Sequence, residues 1–134
     1  MDVRPAFHEY FLDLARAVAA RGDCSRRQVG CVLVNLDQRI IATGYNGTLP
    51  GAKGCLAGGC PRATLDVPPG VDYELTACIA LHAEMNAVAY ASFDATKGSS
   101  AYITDAPCYM CQKVLAAAGV RMAFWPHGQL TLAL

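Results

Sequence analysis

The chain has 134 residues, of which 54% are hydrophobic and 16% carry a charge, and its formal net charge is zero. This length predicts one domain with a single core, spanning residues 1–134. The neutral balance argues against a protein that binds nucleic-acid backbones, and no apolar stretch is long enough to predict a transmembrane helix. The large apolar share suggests surfaces that are buried between subunits.

The first third of the chain predicts a helix followed by a β-hairpin. Aromatic and aliphatic residues recur at helical spacing through residues 5–21, and Gly22 ends the pattern. Residues 29–35 and 39–45 are rich in β-forming residues, and the short connection between them suits a turn. We therefore expect two antiparallel strands here.

A long loop is predicted next, because glycine is frequent in residues 44–59 and proline in residues 60–73. Long loops within compact domains are usually functional or held in place by other contacts. Residues 73–92 then predict a helix, with His82 near its middle.

The last part of the chain alternates strands and helices. Strands are predicted at residues 101–104 and 120–125, with a helix between them at residues 108–118 that ends before Gly119. The C-terminal residues 130–134 favour a short edge strand. The order α-β-β-loop-α-β-α-β predicts a three-layer α/β domain, in which helices sandwich a mixed sheet.

Two short motifs carry the chemistry of this sequence. His82 and Glu84 form an H-x-E motif, and Pro107 precedes a C-x-x-C motif formed by Cys108 and Cys111. Catalytic zinc sites use three protein ligands and leave the fourth position to water, whose pKa falls from about 15.7 to near 7. One imidazole and two thiolates fit that count. Glu84 is close enough to carry protons without binding the metal.

The two motifs are informative because they occur together. A lone C-x-x-C or H-x-E is a weak signal, and the alternative is a structural zinc knuckle or a chance match. Structural zinc sites use four protein ligands, whereas this pattern supplies three. Pro107 suits the start of a helix, which would place Cys108 near a helix N-terminus that favours a thiolate.

The combined pattern is the signature of zinc-dependent nucleobase deaminases, and further motifs extend the likeness. Residues 24–30 (CSRRQVG), 39–47 (RIIATGYNG) and 82–87 (HAEMNA), with the C-x-x-C motif, resemble deoxycytidylate (dCMP) deaminases of the cytidine deaminase superfamily. The resemblance spans roughly residues 5–125. It implies a cytidine-deaminase-like fold and zinc-dependent hydrolysis of dCMP to dUMP and ammonia.

The resemblance also implies roles for individual residues. His82 and the two C-x-x-C cysteines would bind the catalytic zinc, and Glu84 would be the general acid and base. Asn46 would bond the sugar 3′-hydroxyl, and the backbone N–H of Ala83 would meet the base carbonyl. The candidates for the phosphate are Arg26, Arg27 and Lys53. The alternative for Asn46 is a turn residue with positive φ, and for each arginine a solvated surface charge.

One departure from the family pattern concerns the base. Asp105 stands where relatives more often have an apolar residue, and it would contact the exocyclic amine or a 5-substituent. A 5-modified dCMP and a cytosine in single-stranded nucleic acid are therefore alternative substrates. The neutral net charge and the single tryptophan argue against single-stranded nucleic acid as the substrate. A non-catalytic assembly protein is a third alternative, disfavoured because Glu84 is intact.

The cysteines outside the C-x-x-C motif leave two interpretations open. Some family members hold a second, structural zinc near the positions of Cys24, Cys55 and Cys60. Gly54 stands where a histidine is often found, so the fourth ligand would come from elsewhere, with His8 and His127 as candidates. The other interpretation is three reduced thiols. Core positions are expected for Cys31 and Cys78.

The expected surroundings of the chain follow from the same features. The N-terminus does not resemble a signal peptide, and with seven cysteines this predicts a reducing cytoplasm. The resemblance implies a nucleotide as the small-molecule partner and a homo-oligomer, a hexamer by analogy. The chain also stops soon after Trp125, where many relatives continue, so regulation by dCTP and dTTP is not implied.

Overall fold

A five-stranded mixed sheet forms the centre of the protein. The computed structural model describes residues 3–62 and 78–132. The strands are β1 (Gly30–Val34), β2 (Ile40–Tyr45), β3 (Ser100–Ile103), β4 (Met122–Trp125) and β5 (Gly128–Thr131). They lie in the order β2-β1-β3-β4-β5. The β3–β4 pair is parallel and the other neighbouring pairs are antiparallel, which confirms the predicted hairpin.

Helices cover both faces of this sheet. They are α1 (Phe7–Ala19), α2 (Ala83–Ala89), α3 (Phe93–Thr96) and α4 (Tyr109–Ala117). Strand β1 is buried along its whole length, and its side chains alternate between two clusters. Cys31 and Leu33 pack with residues of α2 and α4, whereas Val32 and Val34 pack with α1. Because successive side chains of a strand point to opposite faces, β1 joins the two helical layers. The three-layer prediction is confirmed.

Two glycines let helices approach the hairpin closely on opposite faces. A Cβ atom at Gly30 would lie 2.1 Å from the carbonyl oxygen of Ala15 in α1, and one at Gly44 would lie 2.4 Å from the carbonyl oxygen of Ala83 in α2. A larger residue at either position would push the helix away, because close-packed interiors leave no room for it. Gly44 therefore sets how closely α2 lies against β2.

The predicted helix over residues 73–92 is wrong in its N-terminal part. Helix α2 begins at Ala83, and His82 is extended with φ −70° and ψ 156°. Leu81 exchanges two backbone hydrogen bonds with Gly47, of 2.8 and 3.1 Å. Since the backbone of Leu81 is occupied by this bridge, it cannot join the helix, and the tertiary contact overrides the apolar spacing. Residues 73–77 lie outside the described residues.

The remaining elements agree with the sequence except at their ends. Helix α4 ends before Gly119, which has φ +85°, as expected for a glycine after a helix. The predicted tail strand is confirmed in part, because β5 begins at Gly128 and ends at Thr131. Helix α3, capped by the side chain of Ser92, was not predicted. Within the described ranges, every helix is too short or too polar to cross a bilayer.

Candidate active site

Three side chains converge where the two motifs meet. The Nδ1 atom of His82 lies 3.2 Å from the sulfur of Cys111 and 3.5 Å from the sulfur of Cys108. The ligand atoms of all three lie within 4.8 Å of one another. Among residues 3–62 and 78–132, this is the one group of three or more such side chains that close together. The fold therefore joins two motifs that are separate in the sequence.

Helix N-termini position these side chains. His82 occupies the N-cap of α2, one residue before the helix, and not the middle of a helix as predicted. Cys108 occupies the N-cap of α4, where its sulfur accepts a hydrogen bond of 3.4 Å from the backbone N–H of Cys111. The prediction that Cys108 lies near a helix N-terminus is confirmed. Backbone N–H groups at helix N-termini favour negative charge, which suits a thiolate.

The geometry of this group fits a zinc ion. Zinc binds sulfur at about 2.3 Å and histidine nitrogen at about 2.0–2.1 Å, so in a tetrahedral site the nitrogen and sulfur ligands lie about 3.6 Å apart. The observed separations of 3.2 and 3.5 Å are close to this value. Three protein donors also leave the fourth position of a tetrahedral ion open, as catalytic zinc requires.

Burial changes the protonation of two side chains in this group. Burial, followed by the charges of Glu84 and Cys108, raises the pKa of the Cys111 thiol. Burial and the charge of Arg27 lower the pKa of His82. His82 is therefore neutral near pH 7 and can donate a lone pair. A cation beside Cys111 is what would hold it as a thiolate.

Glu84 lies in the first turn of α2 with 4% of its surface exposed. Burial raises the pKa of its carboxyl, and hydrogen bonds to its own backbone and to Cys111, together with the charge of Arg27, oppose that rise. A carboxyl group with a raised pKa can both accept and return a proton near neutral pH. Its position beside the three possible ligands suits a proton carrier.

A cavity of about 340 Å³ opens onto this group. Five of the six substrate contacts suggested by the sequence line it, together with His82, Glu84 and Cys108. The five are Arg26, Arg27, Asn46, Ala83 and Asp105. Lys53 is exposed and is not part of this lining. Ala83 is the first residue of α2, so its N–H group has no acceptor within the helix.

Asn46 fixes the wall of the cavity. Its Oδ1 atom accepts a hydrogen bond of 2.9 Å from the backbone of Val29, and its Nδ2 atom donates one of 2.9 Å to the carbonyl oxygen of Arg27. The interpretation of Asn46 as a turn residue with positive φ is wrong, because among the residues that the structure describes Gln38 is the one non-glycine residue with that conformation. Asn46 therefore ties β2 to the segment that carries both arginines.

The two arginines predicted to bind the phosphate have different partners. Arg27 forms an ion pair with Asp105, with 2.8 Å between Nη2 and Oδ2. Arg26 donates a hydrogen bond of 2.6 Å to the backbone carbonyl of Arg62. Arg62 is itself 2% exposed and lines the cavity. Its burial was not predicted from the sequence, because an arginine in a glycine- and proline-rich loop is usually at the surface.

Three further cysteines lie in the same cavity wall. They are Cys24, Cys55 and Cys60. The pKa of Cys55 is raised to about 11, chiefly by burial and next by Cys60, Asp23 and Cys24. These groups therefore lie near one another. Their sulfur atoms do not all lie within 4.8 Å of one another, as the ligand atoms of His82, Cys108 and Cys111 do.

Of the two other cysteines and the two other histidines, one cysteine lines the cavity. Cys78 lines the cavity and is half-buried, so its interpretation as a core residue is wrong, whereas Cys31 is fully buried. His8 packs against Phe124, and its Nδ1 atom is 3.1 Å from the hydroxyl of Tyr102. His127 is exposed, and neither histidine lines the cavity.

Comparison with known proteins agrees with this site. The sequence model described as the cytidine and deoxycytidylate deaminase zinc-binding region matches residues 5–125. The chain belongs to this family. It is 44% identical over 126 residues to the deoxycytidylate deaminase of Mycobacterium phage D29, covering 92% of this chain and 96% of the phage enzyme. It is 40% identical to the deoxycytidylate deaminase of Schizosaccharomyces pombe, in a match that covers 88% of this chain but 36% of the yeast protein.

A solved deaminase has the same fold. The crystal structure of the dCMP deaminase from cyanophage S-TIM5, in complex with dCMP and dUMP, matches with a TM-score of 0.66. The two chains are 28% identical, and the match covers 92% of this chain and 83% of the cyanophage chain. As in the family, a zinc ion is the cofactor that the group of His82, Cys108 and Cys111 is suited to hold.

Proposed function

We propose that this protein hydrolyses dCMP to dUMP and ammonia, as part of pyrimidine deoxynucleotide supply. The observation that carries the proposal is the buried carboxyl of Glu84 beside the zinc-binding group, at the base of a cavity whose wall contains Arg26 and Arg27. The likeness to the phage D29 enzyme, and to a cyanophage enzyme solved with dCMP and dUMP, supports this choice of substrate.

The reaction replaces the 4-amino group of cytosine with oxygen. Zinc, when bound, supplies a Lewis acid that lowers the pKa of water to about 7. Glu84 accepts a proton from the attacking water and delivers it to N3 of the ring. It then takes the second proton from the new hydroxyl on C4 and passes it to the amino group, which leaves as ammonia while the C4 carbonyl forms. Burial suits Glu84 to this work, because its raised pKa lets it hold the proton between the two transfers.

The cavity wall offers a contact for each remaining part of the nucleotide. Ala83 would donate its N–H, which has no acceptor within α2, to the base carbonyl, and Asn46 would bond the sugar 3′-hydroxyl. Arg26 and Arg27 would bind the phosphate, because the planar guanidinium matches phosphate oxygens with two parallel hydrogen bonds. Lys53 lies outside the cavity lining and has the weakest case among the phosphate candidates.

The test is ammonia release by the zinc-loaded protein from dCMP, deoxycytidine, 5-methyl-dCMP and a cytosine-containing oligonucleotide. We expect turnover of dCMP with little turnover of deoxycytidine. Turnover confined to 5-methyl-dCMP would favour the second candidate substrate, a 5-modified dCMP, for which the carboxylate of Asp105 in the cavity wall is the supporting observation. Turnover confined to the oligonucleotide would contradict the nucleotide assignment.

A second, structural zinc at Cys24, Cys55 and Cys60 stays a prediction. Their shared place in the cavity wall supports it, and their incomplete convergence favours reduced thiols. Metal analysis separates the two interpretations. A second zinc would be kept when Cys111 is replaced by serine and lost when Cys55 is replaced.

The assembly and location of the protein are also proposals. Large apolar side chains are exposed on the helices or directly after them, among them Phe7, Tyr90, Phe93, Tyr109 and Met110. They support a homo-oligomer, a hexamer by analogy with the family. Light scattering measures the mass in solution, and the mass of a monomer would contradict this proposal. None of the seven cysteines forms a disulfide, which supports a reducing cytoplasm. We propose that residues 1–134 act as one deaminase domain.

A further inference from the structure

A carboxylate from a distant segment bonds the backbone of the cavity wall. The Oδ1 atom of Asp23 accepts a hydrogen bond of 2.7 Å from the backbone N–H of Leu56, 33 residues later in the chain. Leu56 belongs to the turn Cys55–Gly59, which we call the cysteine turn. Cys55 is 6% exposed and lines the cavity, whereas Asp23 does not line it. Asp23 therefore contacts the wall without facing the substrate.

The cysteine turn needs an acceptor at this place. The first N–H groups of a helical turn have no acceptor within it, and a side chain at the N-cap often supplies one. Here the N-cap is Gly54, which has no side chain. The carbonyl of Gly54 closes the turn by accepting the N–H groups of Ala57 and Gly59 at 3.1 and 3.0 Å. Asp23 supplies the missing cap to Leu56.

Gly54 also gives the carboxylate room to approach. A Cβ atom at Gly54 would lie 2.4 Å from Oδ2, 3.2 Å from Cγ and 3.3 Å from Oδ1 of Asp23. The backbone of Gly54 is extended, with φ −66° and ψ 153°, so other residues could adopt its conformation. The glycine is therefore required by the approach of Asp23 and not by the backbone.

The backbone of Asp23 is itself held by the core. Its N–H group donates a hydrogen bond of 2.8 Å to the carbonyl oxygen of Asn46, and the side chain of Asn46 bonds the backbone of Val29 just before β1. A short side chain on a fixed backbone has few conformations. Asp23 therefore links the position of the cysteine turn to that of the sheet.

We propose that Asp23 is a positioning residue that holds the cysteine turn against the cavity and so sets the wall around the phosphate of dCMP. This inference rests on the proposed function. Arg62, three residues after the turn, accepts a hydrogen bond of 2.6 Å from Arg26 on its backbone carbonyl. A turn that shifts outward would carry this carbonyl along and displace Arg26, a proposed phosphate contact.

The proposed catalytic group lies outside the reach of this shift. Glu84 and the proposed zinc ligands lie at the N-terminal ends of α2 and α4, and the cysteine turn is part of neither helix. The charges of Arg27 and Asp105 shift the pKa of Glu84, and Asp23 is not among the groups that do so. We therefore expect Asp23 to act on the KM for dCMP and not on kcat.

Steady-state kinetics of the zinc-loaded full chain test the effect on binding. For Asp23→Ala we expect the KM for dCMP to rise roughly two- to tenfold, the factor of one lost hydrogen bond, with kcat nearly unchanged. Asp23→Asn keeps an acceptor oxygen and should retain the wild-type KM. Asp37→Ala, which removes the same charge from the exposed hairpin turn, is the matched control. A wild-type KM in Asp23→Ala, or a fall in kcat alone, would overturn the positioning role.

Hydrogen exchange measures the hold on the turn without any substrate. Exchange at the amides of the cysteine turn should be faster in Asp23→Ala than in the wild type, because the N–H of Leu56 loses its acceptor. In Asp23→Asn the exchange should stay slow, since the bond remains although the charge is lost. Equal rates in all three proteins would mean that no tether exists. Equally fast exchange in both variants would mean that the charge matters and not the bond, and either result overturns the proposal.

A double-mutant cycle with Gly54 tests the geometry. Gly54→Ala should raise the KM as Asp23→Ala does, because the new Cβ atom pushes the carboxylate away. In the Asp23→Ala background, Gly54→Ala should add little, since the three atoms nearest to the new Cβ belong to the side chain that is then missing. Additive effects of the two substitutions would contradict the proposal.

Metal analysis and the wild-type protein separate the remaining alternatives. Loss of one zinc from both Asp23→Ala and Asp23→Asn would make Asp23 a metal ligand and overturn its role as a hydrogen-bond acceptor. If the wild type releases no ammonia from dCMP, the proposed function fails, while hydrogen exchange still tests the hold on the turn. If the wild type turns over dCMP and Asp23→Ala keeps its KM, the positioning role alone fails.

Discussion

The side-chain amide of Asn86 donates a hydrogen bond of 2.8 Å to the backbone carbonyl of Tyr45. Asn86 lies in α2, two residues after Glu84, and Tyr45 is the last residue of β2, immediately before Asn46. This bond therefore joins the helix that carries the proposed proton carrier to the strand that leads into the proposed sugar contact. It gives a structural reason for the asparagine in the HAEMNA motif.

Replacement of Glu84 by glutamine should abolish turnover without removing the metal. Glutamine keeps the size of the side chain but cannot exchange protons near neutral pH, so the proposed ligands His82, Cys108 and Cys111 stay in place while proton transfer stops. Ammonia release from dCMP measures the first effect and the zinc content of the purified variant the second. Turnover that persists in a zinc-loaded Glu84→Gln protein would contradict the role of Glu84.

The same substitution should change how the stability of the metal-free protein depends on pH. Burial raises the pKa of Glu84 above its ordinary value of 4.5. Its protonated form therefore favours the folded state, and this contribution is lost as pH rises from 4.5 through the raised pKa. Glu84→Gln should remove the loss, so the variant gains stability relative to the wild type as pH rises through that window.

Urea unfolding of the chelator-treated proteins between about pH 4 and pH 8 measures this difference. The matched control is Glu9→Gln, an exposed glutamate in α1. A stability difference between wild type and Glu84→Gln that stays constant with pH would argue against a raised pKa.

Replacement of Gly44 by alanine should destabilise the protein by about 1–3 kcal/mol, the usual cost of overpacking. The new Cβ atom would lie 2.4 Å from the backbone of Ala83 and Ala87, so α2 would have to move away from β2. Because Glu84 moves with α2, kcat should fall as well. Gly47→Ala is the control, since its Cβ would meet no atom closer than 3.4 Å. Equal urea midpoints for the two variants would contradict this account.

Replacement of Asn46 by alanine should raise the KM for dCMP and lower the free energy of unfolding. It leaves the N–H of Val29 and the carbonyl of Arg27 without their partner, and an unsatisfied buried polar group costs about 1–3 kcal/mol. The segment that carries Arg27 would also lose its anchor. The control is Asn35→Ala, which removes similar side-chain hydrogen bonds from the distant hairpin turn. An Asn46→Ala variant with wild-type KM would argue against this role.

Much of the fold was predictable from the sequence because it depends on local signals. Helix α1, the β1–β2 hairpin and the end of α4 before Gly119 follow from spacing and from glycine positions. The start of α2 was not predictable in this way. Leu81 has the apolar character and spacing of the predicted helix, but its backbone pairs with Gly47, 34 positions earlier in the chain. Such a partner leaves no mark in the local pattern.

The residue types in the sequence were enough to predict the chemistry, because zinc chemistry demands particular donors. The H-x-E and C-x-x-C motifs predict the metal, three candidate ligands and a candidate proton carrier without any coordinates. The surroundings of these residues became visible only in the folded chain. It buried Arg62 in the cavity wall, kept Lys53 out of the lining and paired Arg27 with Asp105. Burial and ion pairing depend on contacts between distant segments, which only the folded chain brings together.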